Sequence, residues 1–194
     1  MSRKINWLGL AAGIITLIVL AISLYVPWWQ LTMGQSLIKI NASPIYTNFA
    51  LFGTQFTIPL IWAINLILTM ALTASGLIML IYSLVPTKPY AKRLLSFSYK
   101  QPIYFVVGFA VVLIAIILVA GHFGLSLPLM GSATVTLPIH WTSGVTISAL
   151  TSGDFQLPFW LAIVAAEFSI AARLYHSHLV KAITAPKTAA SAVP

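Results

Sequence analysis

Two acidic residues occur in this sequence, and one of them, Glu167, lies inside a long apolar segment. It follows Pro158 by nine residues, which places it about 13 Å into that segment at helical rise. A carboxyl group in hydrocarbon needs a partner, and Thr16 and Thr69 are the polar residues expected at this depth. We therefore predict that Glu167 is a buried ionisable residue that packs inside a helix bundle. A proton relay or quinone contact, and an interface with a partner subunit, are the alternatives.

The histidines offer little material for a metal site. His122 and His140 fall in predicted outer segments, where they could bind a metal or accept a proton from a quinol. His176 and His178 lie where the last apolar segment ends, beside basic residues. The absence of cysteine excludes disulfides and thiolate ligands. We predict no catalytic residue, no cofactor and no metal ligand, and hence a protein that is not an enzyme.

The composition indicates a membrane protein. Of the 194 residues, 60% are hydrophobic and 6% are charged, whereas soluble domains carry about 25% charged residues. Four apolar segments, 7–26, 59–83, 102–121 and 158–175, are long enough to cross a bilayer as helices. We predict an all-α membrane protein, a bundle of four transmembrane helices in one domain, 1–183, followed by a flexible cytoplasmic tail, 184–194.

The distribution of basic residues predicts the orientation. Nine of the ten Lys and Arg residues lie near the termini, in the loop 84–101 or at the end of the last apolar segment, and Lys39 lies in the loop 27–58. Because cytoplasmic segments are enriched in Lys and Arg, we expect a multi-pass protein of the cell membrane with both termini in the cytoplasm. We therefore attribute the net charge of +8 to residues that orient the chain and that contact anionic lipid or a cytoplasmic partner. We expect no nucleic-acid partner. The inner cations are Arg3, Lys4, Lys88, Lys92, Arg93, Lys100, Arg173, Lys181 and Lys187.

Small and polar residues recur at helical spacing within the first two segments, which is typical of close helix packing in lipid. The first group could form a seam within the bundle or a homodimer contact. The second group should face the bundle interior, because polar groups need partners there. The groups are Gly9, Gly13 and Thr16, and then Asn65, Thr69, Thr73 and Gly76.

The outer loops 27–58 and 122–157 alternate β-branched, aromatic and small residues between turn signals. We predict a small extracellular antiparallel β-sheet built from both loops. Its aromatic residues Trp28, Trp29, Phe49, Phe52 and Trp141 are our candidates for a recognition interface. The sequence Asn41-Ala42-Ser43 is a sequon, which makes Asn41 a possible glycosylation site.

The order of these elements resembles the claudin-like tetraspan group. Trp28 or Trp29 would match the Trp that follows the first span in that group, and Leu51-Phe52-Gly53 loosely matches its Gly-Leu-Trp element. The two cysteines of the group are absent. The resemblance implies a four-helix bundle with an outer sheet, and a role in adhesion, barrier formation or assembly without catalysis.

These observations favour a structural protein of the lipid bilayer that associates through its outer loops. Its partners would be other copies of itself, in a homo-oligomer, or other membrane subunits. The second hypothesis is an accessory subunit of a redox or proton-translocating complex that uses Glu167 and the outer histidines. The third is a small oligomeric transporter or channel.

Overall fold

The computed structural model describes residues 5–138 and 146–184, which form five helices and one antiparallel sheet. The helices are α1 (Trp7–Ser23), α2 (Pro59–Leu84), α3 (Ala91–Ser98), α4 (Lys100–His122) and α5 (Leu157–Thr184). The strands are β1 (Trp29–Met33), β2 (Ile38–Ala42), β3 (Thr47–Leu51), β4 (Thr54–Phe56), β5 (Gly131–Pro138) and β6 (Thr146–Phe155).

Three helical stretches are long and apolar enough to cross a membrane: Pro59–Leu84, Ala91–His122 and Leu157–His178, with mean hydropathies of 2.1, 3.1 and 1.5. α1 is apolar but has 17 residues. Much of the apolar surface of these helices is uncovered, and Leu118 on α4 is 69% exposed. Water would penalise such a surface, whereas lipid would not. The fold is therefore consistent with a membrane protein.

α1 packs between α2 and α5, and α4 packs against α5. A Cβ atom placed on Gly13 would lie 2.7 Å from Leu80 Cδ2, and one on Gly76 would lie 2.8 Å from Leu17 Cδ2. Gly9 is equally close to Ser83. Residues without side chains therefore allow the α1 and α2 backbones to approach each other, as in many membrane bundles.

The polar residues of the bundle are satisfied mostly within their own helices. The hydroxyls of Thr16, Thr69 and Thr73 each donate to the carbonyl four residues earlier, at 2.7–2.8 Å. Serine and threonine side chains commonly bond in this way inside helices. Asn65 is buried, and its Nδ2 donates to Thr47 Oγ1 across 3.4 Å, which joins α2 to β3.

The antiparallel sheet predicted from the two outer loops is confirmed. It has six strands in the order β4-β3-β2-β1-β6-β5, so it is larger than the small sheet that we expected. The two loops meet where β1 pairs with β6, and Trp29 lies opposite Phe155.

One face of the sheet, here called the inner face, packs against the helices. Trp29, Leu31 and Met33 alternate along β1 and are buried. Leu113 on α4 and the loop 125–130 cover this face. The opposite outer face carries Gln30 and Thr32 from the same strand, because successive side chains of a strand point to opposite sides.

Candidate functional site

Trp28 belongs to the core and not to a recognition surface. Its exposed fraction is 0%. Its Nε1 donates to Ser23 Oγ at 2.8 Å, and its ring meets those of Phe109 and Phe159 edge to face at 5.3 and 6.1 Å. A buried indole with a satisfied N–H is a packing element. The prediction that Trp28 forms an interface is therefore wrong, because the residue joins the sheet to the helices.

Trp29 is also buried, with 3% of its surface exposed. It lies on the inner face of β1, where its Nε1 donates to the carbonyl of Leu129 at 2.8 Å. The prediction of an interface at Trp29 is therefore wrong for the same reason. Trp141 lies outside the described residues.

Phe52 is the predicted interface residue that the structure displays most openly. The pairing of Leu51 with Thr54 leaves Phe52 and Gly53 as a two-residue turn between β3 and β4. Both have positive φ angles, 50° and 81°, as a type I′ turn requires. Asn, Asp and Gly usually occupy these positions, and an aromatic residue there is strained. Phe52 nevertheless occupies the first one, with 74% of its surface exposed.

Two leucines extend the exposed apolar surface around Phe52. The backbone N–H of Phe52 donates to the carbonyl of Leu37 at 2.7 Å. Leu37 is 51% exposed and Leu51 is 43% exposed. We call these three residues the tip patch. They lie at the end of the strands opposite to the helices, since β3 runs for five residues from Thr47 to Leu51, or about 16 Å.

Phe49 lies half-buried on the inner face of β3 and stacks on Phe56 of β4, with ring centroids 5.6 Å apart. This pair stiffens the hairpin that carries the tip patch, because cross-strand aromatic pairs stabilise sheets. Phe49 thus helps to position the tip patch and contributes less to the exposed surface.

The outer face of the sheet is polar and nearly uncharged. Asn48, Asn41, Gln30 and Asp154 lie opposite one another across β3, β2, β1 and β6. The Oδ1 atom of Asn41 is buried without a hydrogen-bond partner in the described part of the chain. Asn41 is half-buried within a strand, whereas glycosylated sequons favour surface loops. The structure therefore gives no support to Asn41 as a glycosylation site.

Glu167 lies on the exposed side of α5 and not inside the bundle. Buried small residues define the packing side of this helix: Ala162, Ala165, Ala166, Ser169 and Ala172. Their spacing of three and four residues is the sequence signal that could have placed Glu167 outward. The prediction of a buried Glu167 near Thr16 and Thr69 is therefore wrong.

A buried polar cluster at the other end of the helices escaped the sequence reasoning. Asn6, with 0% exposure, accepts from the Gly9 N–H at 3.0 Å and donates to the Tyr82 hydroxyl at 2.7 Å and to the Ala172 carbonyl at 3.1 Å. The Tyr82 hydroxyl lies 3.0 Å from His176 Nδ1. The cluster fastens α1, α2 and α5 to one another. Asn6 directly precedes an apolar run, which is an N-cap signal.

The histidines do not assemble into a metal centre in the parts of the chain that are described. Those residues contain no group of three or more His, Cys, Asp or Glu side chains that could hold a metal ion. His122 is exposed at the end of α4, beside Phe123, and His178 is exposed near the end of α5. His140 lies outside the described residues.

One small cavity lies among the described helices. A cavity of about 10 Å³ lies between Thr16, Leu72, Phe105 and Ala165, which is about the volume that one water needs. This cavity is too small to serve as a transport pathway.

Neither the scan of protein-family models nor the search of curated proteins finds a match to this chain.

Proposed function

We propose that this chain is a non-enzymatic, four-span protein of the cell membrane that associates through its outer sheet with neighbouring copies or with other membrane subunits. The observation that carries the proposal is the exposed Phe52 in a left-handed turn. Retaining an aromatic residue at a strained, uncovered position is unfavourable for the isolated protein. A contact that buries the ring would compensate for that cost.

The path of the chain supports four spans. α1 leads into β1, β4 leads into α2, α4 leads towards β5, and β6 leads into α5. The backbone N–H of Asn6, before α1, donates to the carbonyl of Ser83 near the end of α2 at 3.0 Å. The two helices therefore cover the same layer, although α1 has 17 residues, or about 26 Å. This up-and-down path, together with the basic residues of the inner segments, is our reason for placing both termini in the cytoplasm.

Two further features fit an association role. Glu167 projects from the outer side of α5, where a carboxyl group in lipid needs a partner. The outer face of the sheet carries amides and hydroxyls with few charges, and charge-poor surfaces are typical of the centres of interfaces. The claudin-like resemblance, which implies a role in adhesion, barrier formation or assembly, points in the same direction.

The substitution Phe52→Asn tests the role of the tip patch. Asparagine tolerates the left-handed turn, so the hairpin should persist while the exposed ring is lost. We expect cross-linking to a second copy, or co-purification of a companion protein in mild detergent, to fall about tenfold or more, since an aromatic hot spot contributes about 2 kcal/mol.

The matched control is Phe123→Asn, because Phe123 is 77% exposed but lies after α4 and away from the tip patch. Equal association of the Phe52 variant and the natural chain would refute the proposal. Loss of association in the control alone would refute it as well.

The second hypothesis, an accessory subunit of a redox or proton-moving complex, has one structural observation in its favour. Tyr82 and His176 form a hydrogen-bonded pair of titratable groups at the inner end of the helices, and such pairs can relay protons. Co-purification of a companion with visible cofactor absorption would favour this hypothesis over a purely structural association.

A further inference from the structure

A groove of about 370 Å³ opens where α3 meets α4, at the end of the helices that is remote from the sheet. Its walls are Arg93, Ser96, Phe97, Lys100, Gln101 and Tyr104. The groove is shallow and widely open, unlike an enclosed small-molecule pocket. Six side chains from two successive helices line the groove, and they include polar and aromatic residues as well as two cations.

The geometry of α3 creates this surface. Ala91, Leu95 and Ser98 are buried, and the Ser75 hydroxyl on α2 donates to the Ser98 carbonyl at 3.0 Å. With this side fixed, Arg93 and Phe97 project from the other side, four residues apart. Tyr99 stays in the helical region, so Lys100 and Tyr104 continue the same face one and two turns later.

The chemistry of the groove is that of an anion site at a membrane boundary. Arg93 and Lys100 supply two cations, and no acidic side chain is among the lining residues. Arginine can bind two oxygens of one phosphate at once, and lysine adds a point charge. Ser96 and Gln101 add neutral hydrogen-bonding groups beside them.

The aromatic residues indicate that the ligand also has an apolar part. Phe97 is 45% exposed and Tyr104 is 62% exposed. Tyr104 lies two residues beyond Pro102, inside the most apolar helical stretch of the chain. Tyrosine side chains are enriched at the depth of lipid head groups.

We infer that this groove binds an anionic phospholipid, with the phosphate against Arg93 and Lys100 and the upper acyl chains against Phe97 and Tyr104. The inference rests on the proposed membrane location but not on the tip patch. An isolated surface charge attracts anionic lipid without preference for position, whereas a groove holds one molecule in place.

The test uses the purified full chain in nanodiscs with equal amounts of phosphatidylglycerol and phosphatidylcholine of identical acyl chains. The protein is then released from the nanodisc, and native mass spectrometry reports which lipids remain bound to it. We expect the natural chain to retain phosphatidylglycerol about tenfold over phosphatidylcholine, from two cations near the head group. The double variant R93Q/K100Q should reduce this ratio to about one.

The matched control is K88Q/K92Q, which removes the same charge from exposed residues of the same inner segment outside the groove. The control should keep the tenfold preference. An equal loss in both double variants, or an undiminished preference in R93Q/K100Q, would overturn the site. The thermal midpoint of each variant is measured first, and K100Q alone replaces the double variant if the latter unfolds.

A competition experiment identifies the source of the phosphate. Inorganic phosphate in large excess should leave phosphatidylglycerol bound, because the acyl chains contribute contacts with Phe97 and Tyr104. Displacement of the lipid by inorganic phosphate would overturn the lipid assignment in favour of a free anion. Phe52 is distant from the groove residues in the sequence and lies at the other end of the molecule. The result of the lipid experiment is therefore independent of the association test with Phe52→Asn.

Discussion

Glu167 shows how one side chain can reveal what surrounds a protein. It lies on the exposed side of α5, while the hydroxyls of Thr16 and Thr69 are occupied within their own helices. A carboxyl group that faces hydrocarbon is unfavourable without a partner. In the proposed association, a donor on a neighbouring subunit would supply that partner.

We expect Glu167→Leu to weaken association in the membrane about tenfold, because an interhelical hydrogen bond in lipid contributes about 1–2 kcal/mol. The isosteric Glu167→Gln should retain most of the association, since an amide still forms hydrogen bonds. Cross-linking yields of the reconstituted variants provide the measurement. Unchanged cross-linking in the leucine variant, or a large fall in its own thermal midpoint, would contradict the prediction.

At the scale of elements, the junction between the sheet and the helices depends on Gly153 in β6. A Cβ atom at this position would overlap the carbonyl oxygen of Pro128 and approach the ring of Trp29 to 3.3 Å. The loop 125–130 therefore lies directly on the sheet backbone, which only a glycine permits.

We predict that Gly153→Ala destabilises the protein by about 1–3 kcal/mol, because backbone atoms must move to admit the methyl group. The change should appear in thermal unfolding in detergent, followed by tryptophan fluorescence. Gly108→Ala is the control, since among the described residues no atom beyond the neighbouring backbone of α4 lies within 4 Å of the added Cβ. It should be neutral or stabilising by up to about 1 kcal/mol. Equal midpoints for the two variants would argue against the contact.

The elements themselves were largely predictable from the sequence. The apolar segments predicted four spanning helices, of which three prove long and apolar enough to cross a membrane, and alternation with turn signals predicted one sheet from two loops. Which side each residue faces was not predictable. A tryptophan after a span fits a recognition surface or a core equally well, and Trp28 proved to be buried because Phe109 and Phe159 converge on it from other helices.

The same limit explains the sites that sequence reasoning missed. Asn6, Tyr82 and His176 are far apart in the chain and come together only when α1, α2 and α5 pack. Arg93 and Lys100 were recognised as cations, but their common groove depends on α3 and α4 being nearly continuous. Local patterns specify elements, whereas contacts between distant segments depend on tertiary packing.

At the scale of the whole molecule, the sheet lies at one end of the helices and α3 lies at the other, so the protein is strongly asymmetric. The chain contains no cysteine, which makes single-cysteine variants informative about orientation. Gln55 in β4 and Lys88 before α3 are both exposed, and each can carry a lone thiol.

We expect Gln55→Cys to react with a membrane-impermeant maleimide on intact cells and Lys88→Cys to react only after the membrane is opened. The reason is that an odd number of spans separates the two residues, and the basic segment should remain inside. Labelling of both thiols on intact cells would contradict the proposed topology. A purified, denatured sample of each variant serves as the control for thiol reactivity.

The position of β1 in the middle of the sheet has a consequence for how the protein is made. β2 pairs with one side of β1 soon after both leave the ribosome, but β6, its partner on the other side, is encoded more than half the chain later. At ordinary rates of translation this delay is on the order of 10 s. In the proposed topology, the nascent chain would carry an unpaired strand edge outside the membrane throughout that interval, and the edge would close only after three helices had been inserted.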